Sequence, residues 1–152
     1  MCSPVGYHPW AAHTLSLEKT PDARTHYARL FGEAQDDETA ALYDALPSPT
    51  PLSEALDQLS AHLKSFPQAL VGEVGLDRSF RIPDPRVGGR QLTRLQTPID
   101  HQLAVLRPQV QMACALGRSV SMHSVRAAGQ TTAFLDEMRK EKSFADIRML
   151  MP

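Results

Sequence analysis

The chain predicts an α/β fold with a parallel sheet, and three observations carry that prediction. Apolar, strand-like runs alternate with amphipathic helical segments, the pattern of parallel strands joined by covering helices. The run Ala69 to Leu76 is apolar at nearly every position, as in a strand buried on both faces. A second, shorter run, Ser119-Val120-Ser121-Met122-His123, ends on a histidine, 50 residues after an acid, Glu73, embedded in the first. The C-terminal ends of strands in such folds face the active site.

Each element has a local justification. Val5-Gly6-Tyr7-His8-Pro9-Trp10 reads as a strand end turning into a loop. Thr20-Pro21-Asp22 opens a helix, with Thr20 as N-cap, proline in the first turn and an acid at the positive end of the dipole. Ala23, Tyr27, Leu30 and Phe31 share one face of it, and Gly32 stops it. Residues 33–50 read as an insertion loop, with Asp36-Asp37-Glu38, the series Pro47, Pro49, Pro51 and a short helix over 38–45. Leu52, Leu56, Leu59, Leu63 and Phe66 form the apolar stripe of the next helix, which Pro67 ends.

The strand Ala69–Leu76 is followed by a long loop, 77–96, holding Pro83, Pro85, Gly88 and Gly89. Thr97-Pro98-Ile99-Asp100 caps a helix whose stripe is Ile99, Leu103, Leu106, Val110 and Ala113. Pro108 inside it predicts a kink, and Gly117 closes it. After the second strand, Ala127 to Met138 is a helix with Phe134, Leu135 and Met138 inward. The tail, with Met149-Leu150-Met151, starts another strand.

Composition bounds the function. A chain of 152 residues, 42% apolar and 22% charged, suits one ordinary globular domain over 1–152. No apolar run approaches the roughly 20 residues of a membrane helix, and the first residues lack the layout of a signal peptide. Cys2 and Cys114 make no disulfide framework, so the expected setting is reducing, cytoplasmic or nuclear. The net charge of −1 hides an asymmetry: residues 1–77 carry 11 acids and 4 Lys/Arg, residues 78–152 carry 6 acids and 12 Lys/Arg. Arg78, Arg81, Arg86, Arg90 and Arg94 face one acid, Asp84, within 78–94. Such a loop suits a phosphate-bearing ligand or is a solvated surface.

The heptapeptide Val71-Gly72-Glu73-Val74-Gly75-Leu76-Asp77 holds the first candidate. A carboxylate among apolar residues needs a cation or hydrogen bonds, and flanking glycines let something approach the backbone. Glu73 reads as a metal ligand or as a structural carboxylate paired with an arginine. His123 reads as a ligand or as a hydrogen-bonded structural residue. His8 lines the same face, or sits in a turn with Tyr7 and Trp10 packed beneath it. Asp77 orients an active-site group or caps a loop. His13, His26, His62 and His101 fall on loops or helices without a chemical role, and Cys114 is an inert thiol. There is no nucleophile elbow, phosphate-binding glycine loop or Cys-x-x-Cys.

Taken together, Gly6-x-His8-Pro9, Gly72-Glu73-Val74-Gly75-Leu76-Asp77 and His123-Ser124 followed by Arg126 resemble TatD-type metal-dependent hydrolases. Gln102, Leu106, Gln109 and Met112-Ala113 match the family's helix layout. Gly-Tyr-His-Pro-Trp, the arginine-rich loop and the proline-rich insertion are most similar to a fungal branch linked to a subunit of the anaphase-promoting complex. The resemblance implies a partial TIM (β/α) barrel and one or two divalent ions (Zn, Mg or Mn). It implies hydrolysis of phosphodiester bonds in DNA by metal-activated water. It makes Glu73 and His123 metal ligands, and places His8, Arg126 and Asp77 at the substrate.

The chain departs from the family in lacking a His-x-His pair, and no histidine follows Asp146-Ile147-Arg148. The expectation is a truncated product covering about the second to fourth barrel strands, with no complete catalytic set and impaired activity. The alternatives are a non-catalytic interaction protein retaining part of the fold, and a metallohydrolase acting on amides or lactones.

Overall fold

The computed structural model describes residues 4–19, 22–141, 144 and 148–151. Thr20 and Pro21, read as a helix start, and Asp146 and Ile147, read as a run that no histidine follows, lie outside the described residues. In chain order, β1 (Pro4–Val5) leads through a 3-10 turn, Pro9–Thr14, into β2 (Leu15–Ser16). Then come α1 (Ala23–Phe31), α2 (Asp37–Ala45), β3 (Thr50–Pro51), α3 (Leu52–Ser65) and β4 (Leu70–Asp77). After a long connection follow α4 (Ile99–Ala115), β5 (Val120–Val125), α5 (Ala128–Met138) and β6 (Met149–Leu150). The main sheet has the order β1-β4-β5-β6 and every pairing is parallel. β2 and β3 form a separate parallel pair. The predicted α/β class is therefore the observed one, with strands in the order and sense of a (β/α) barrel wall.

Apolar burial explains where the helices lie. Leu59 and Leu63 of α3, Leu106, Val110 and Ala113 of α4, and Phe134 and Met138 of α5 pack with Val71, Val74, Leu76, Val120 and Met122 of the two long strands. Two readings of single residues fail. Phe66 lies past the end of α3, which stops at Ser65, and is 56% exposed. Thr97 does not cap α4: Pro98 holds the N-cap position with no side-chain bond, and the Thr97 hydroxyl is buried without a partner. The N-cap of α1 is Asp22 and not Thr20: its side chain accepts from the Thr25 amide at 2.9 Å, and Gly32 ends the helix at φ 96°.

The segment 33–50 carries α2, whose N-cap Asp36 accepts from the Thr39 amide at 2.7 Å. Its Tyr43 packs with Tyr27, Leu46 and Ile82, so this segment and the long loop share one apolar cluster. The loop itself folds as a hairpin, with Pro83 bridged to Leu92 and the Ile82 amide donating to the Leu95 carbonyl at 3.0 Å.

One irregularity decides how β4 presents its acid. Val71 aligns with Val120 but Val74 aligns with Met122, so β4 holds one residue more than β5 between these points. The bulge spans Gly72 and Glu73, and Glu73 is the exposed residue of a strand otherwise buried from Val71 to Asp77. Re-aiming one side chain is what such bulges do. Gly75, at φ 152°, lies so close to β5 that a Cβ would sit 1.9 Å from the His123 carbonyl oxygen. Gly75→Ala is expected to cost several kcal/mol, at the upper end of single substitutions, measured by urea denaturation.

Beneath the 3-10 turn, His26 donates from Nε2 to the His13 carbonyl at 2.8 Å and His101 donates to the Ala12 carbonyl at 2.9 Å. Burial lowers the His13 pKa to about 4, and burial also lowers that of His101. The unfolded imidazoles protonate near 6.5, whereas the folded ones resist. The stability gained from keeping them neutral is complete above pH 6.5 and is lost as pH falls from 6.5 through 4. Urea midpoints should fall across that window, and His13→Phe should flatten the slope.

Candidate metal centre

Three side chains meet at the C-terminal edge of neighbouring strands. His8 follows β1, Glu73 projects from the β4 bulge and His123 lies in β5 opposite Gly75. His8 Nε2 is 3.5 Å from Glu73 Oε2, His123 Nδ1 is 3.7 Å from the same oxygen, and the two ring nitrogens are 3.3 Å apart. One donor atom from each residue thus falls within 4.8 Å of the others, a spacing that one cation can bridge. Among the described residues, the Glu73 carboxylate lies against these two imidazoles and pairs with no arginine. That removes the reading of Glu73 as an arginine-paired structural carboxylate.

Asp77, at the end of β4, holds the centre from behind. Its Oδ2 accepts from Trp10 Nε1 at 2.8 Å and from His123 Nε2 at 3.0 Å. Its Oδ1 accepts from the Ser79 amide and hydroxyl, both at 2.7 Å, and from the Phe80 amide at 2.9 Å. Burial by itself would raise the carboxyl pKa, but the bonds from Trp10, Ser79 and His123 overcome it and hold Asp77 well below the usual carboxylate range. Asp77 therefore fixes the His123 ring and caps the start of the loop that follows β4.

These bonds assign the tautomers. With Nε2–H donated to Asp77, neutral His123 turns the lone pair of Nδ1 toward Glu73. His8 is held the other way round: its Nδ1 accepts the Trp10 backbone N–H at 3.2 Å, so the neutral ring carries its proton on Nε2. His8 becomes a ligand through Nε2 only by giving up that bond. Burial, followed by the neighbouring His123, lowers the His8 pKa. Glu73 and His123 thus offer a carboxylate oxygen and an imidazole lone pair of the kind a divalent ion takes, and the His8 Nε2–H, 3.3 Å from the same His123 Nδ1, occupies that lone pair in this structure. Carboxylate and imidazole donors suit Zn or Mn.

The two glutamines of α4 clamp the strand ends that carry the site. The Gln109 amide accepts from the Tyr7 N–H at 2.7 Å and donates to the Tyr7 carbonyl at 3.3 Å. Gln102 accepts from the Asp77 N–H at 2.8 Å and donates to the Asp77 and Thr97 carbonyls, both at 2.9 Å. Each buried amide pairs both backbone polar groups of one residue, Tyr7 or Asp77.

Of the remaining site candidates, Arg126 follows β5 in a left-handed conformation, φ 51°, and is exposed. Arg78 follows Asp77, and its amide donates to the Val125 carbonyl at 3.0 Å. Arg86 is engaged elsewhere, with Asp84 at 2.7 Å and with the Glu38 carbonyl at 3.2 Å, tying the hairpin to α2. The residue that sequence reasoning missed is Trp10, set aside as packing beneath a turn. It is 49% exposed and bonded to Asp77. No sequence signal joins residues 67 positions apart.

A parallel α/β sheet with carboxylate and imidazole groups converging at its C-terminal edge is the arrangement of barrel-type metal-dependent hydrolases. The family model for TatD related DNase matches residues 1–149. The Cut9-interacting protein scn1 of Schizosaccharomyces pombe is 34% identical over 134 residues, covering 80% of this chain and 39% of that protein. An uncharacterized deoxyribonuclease of Saccharomyces cerevisiae is 25% identical over 141 residues, covering 90% of this chain and 44% of that protein. No solved structure matches the chain significantly. The chain belongs to the TatD family of DNase-related proteins. It spans about two fifths of the length of the curated relatives it matches. No helix among the described residues is long and apolar enough to cross a membrane.

Gln102→Leu strips partners from the Asp77 N–H and carbonyl and should destabilise the fold by about 2–4 kcal/mol, measured by urea denaturation. Gln102→Glu should not recover that loss, since it turns an acceptor onto the Asp77 and Thr97 carbonyls that the amide NH2 serves.

Proposed function

We propose that this chain carries the divalent-metal and phosphate-binding part of a TatD-type phosphodiester hydrolase, with DNA as substrate. The observation that carries the reading is the convergence of Glu73 and His123, with His8 beside them, at one strand edge. Glu73 and His123 would hold the ion. When bound, the ion supplies Lewis-acid polarisation of a phosphoryl oxygen and lowers the pKa of water. His8 directs its Nε2–H toward the same space and donates to a phosphate oxygen. Asp77 keeps the His123 lone pair turned inward. Arg78 and Arg126, at the two strand ends, meet phosphate charge. The setting we propose is cytoplasmic or nuclear.

Two side-chain ligands are fewer than the three of ordinary catalytic zinc sites, so the chain is proposed to bind metal and to turn over slowly. Calorimetric titration with Zn²⁺ and Mn²⁺ should show binding that weakens at least tenfold in Glu73→Ala and in His123→Ala. Unchanged affinity in both variants overturns the metal site. Rapid DNA cleavage that Glu73→Ala abolishes overturns the impairment.

A second reading has its own support. The relative that is 34% identical is named for interaction with Cut9. This chain would then act by binding a subunit of the anaphase-promoting complex. Purified chain should retain such a subunit in a pull-down, and Glu73→Ala should leave that binding unchanged.

A further inference from the structure

The one tryptophan of the chain is held in an unusual way for a surface aromatic. The Trp10 ring lies nearly parallel to Phe80, with centroids 5.0 Å apart and 10° between planes. Its Nε1–H is bonded to Asp77 at 2.8 Å. Phe80 in turn rests on the apolar cluster of Tyr27, Tyr43, Leu46 and Ile82. One face and the polar edge of the indole are therefore fixed, yet 49% of the residue remains in water. Leaving that much aromatic area exposed forgoes the stabilisation that burial would give.

The surroundings say what the exposed area can receive. Trp10 lies 4.8 Å from the His8 ring and 6.1 Å from the His123 ring, centroid to centroid, so a group on the indole is one ring away from the cluster. Arg78 and Arg126 follow the ends of the two strands that carry Glu73 and His123, are exposed, and pair with no carboxylate among the described residues. An indole surface for stacking and guanidinium groups for charge are together the combination that recognises a nucleotide, the base by stacking and the phosphate by charge. We propose that Trp10, backed by Phe80, is a stacking platform for the nucleobase next to the phosphodiester held at the Glu73–His123 cluster. The position of the phosphate rests on the function proposed above; the platform itself is testable without hydrolysis.

Because Trp10 is the sole tryptophan, its fluorescence reports the platform directly. The experiment titrates the chain, in EDTA to prevent cleavage, with oligothymidylate and with an abasic strand of equal length. Oligothymidylate is expected to quench Trp10 and to bind about tenfold or more tightly than the abasic strand. Trp10→Leu, followed by anisotropy of a labelled strand, should bring the two affinities together. Trp10→Phe keeps a ring and should retain part of the preference. Equal affinity of both strands for the wild type, or saturation without quenching, overturns the platform, and neither result depends on a variant folding. A parallel cleavage assay with Mn²⁺ separates the two proposals. Glu73-dependent cleavage without base preference sinks the platform alone. Base-dependent quenching with no metal binding sinks the hydrolase reading alone.

Discussion

The carboxylate of Asp77 joins three parts of the molecule, and the backbone of the same residue joins a fourth. It receives hydrogen bonds from the 3-10 turn after β1, from β5 and from the start of the hairpin, while its own backbone is gripped by α4 through Gln102. A carboxylate withdrawn from water in this way is stable as an anion only because donors surround it. That requirement works in both directions. The donors fix the charge, and the charge fixes the indole of Trp10, the ring of His123 and the first turn of the hairpin. Removing any one of them leaves the others with an unpaired polar group in a buried site, which is why such networks behave as a unit.

The same network distinguishes the two histidines. His123 and His8 look alike in sequence, each at a strand end, but their outer bonds point their protons in opposite directions. His123 has its proton directed at Asp77 and its lone pair at Glu73. His8 has its lone pair occupied by a backbone N–H and its proton at the cluster. Three side chains that could be taken for equivalent ligands are thus not equivalent: His8 turns a proton toward the cluster where His123 turns a lone pair. This division would suit a site that holds a metal ion and a phosphate at once, as proposed.

Much of the fold was legible in the sequence because the signals are local. The stripes of α3 and α4, the doubly buried β4 and the glycine stop of α1 depend on periodicity and on preferences of single residues, and each lies within a residue or two of its predicted place. Phe66 and Thr97 misled for a shared reason. Their spacing fitted a stripe and a cap, but the helix ended before one, and the backbone entering α4 left the other's hydroxyl unpaired. Within the site, Glu73 and His123 were legible through the glycines and the strand endings around them. The role of Trp10 was not, since the bond that defines it spans 67 positions and depends on β1 lying beside β4.

The sequence by itself determined a parallel α/β chain, the two strands that carry the acid and the histidine, and a basic second half facing an acidic first half. Those features follow from side-chain polarity and backbone preference at each position. Only the tertiary structure decided that a bulge turns Glu73 outward and that His8 meets it. It also decided which nitrogen of each histidine is free, and that an indole stands half exposed beside them. These depend on strand register and on hydrogen bonds between distant segments, which no local pattern specifies.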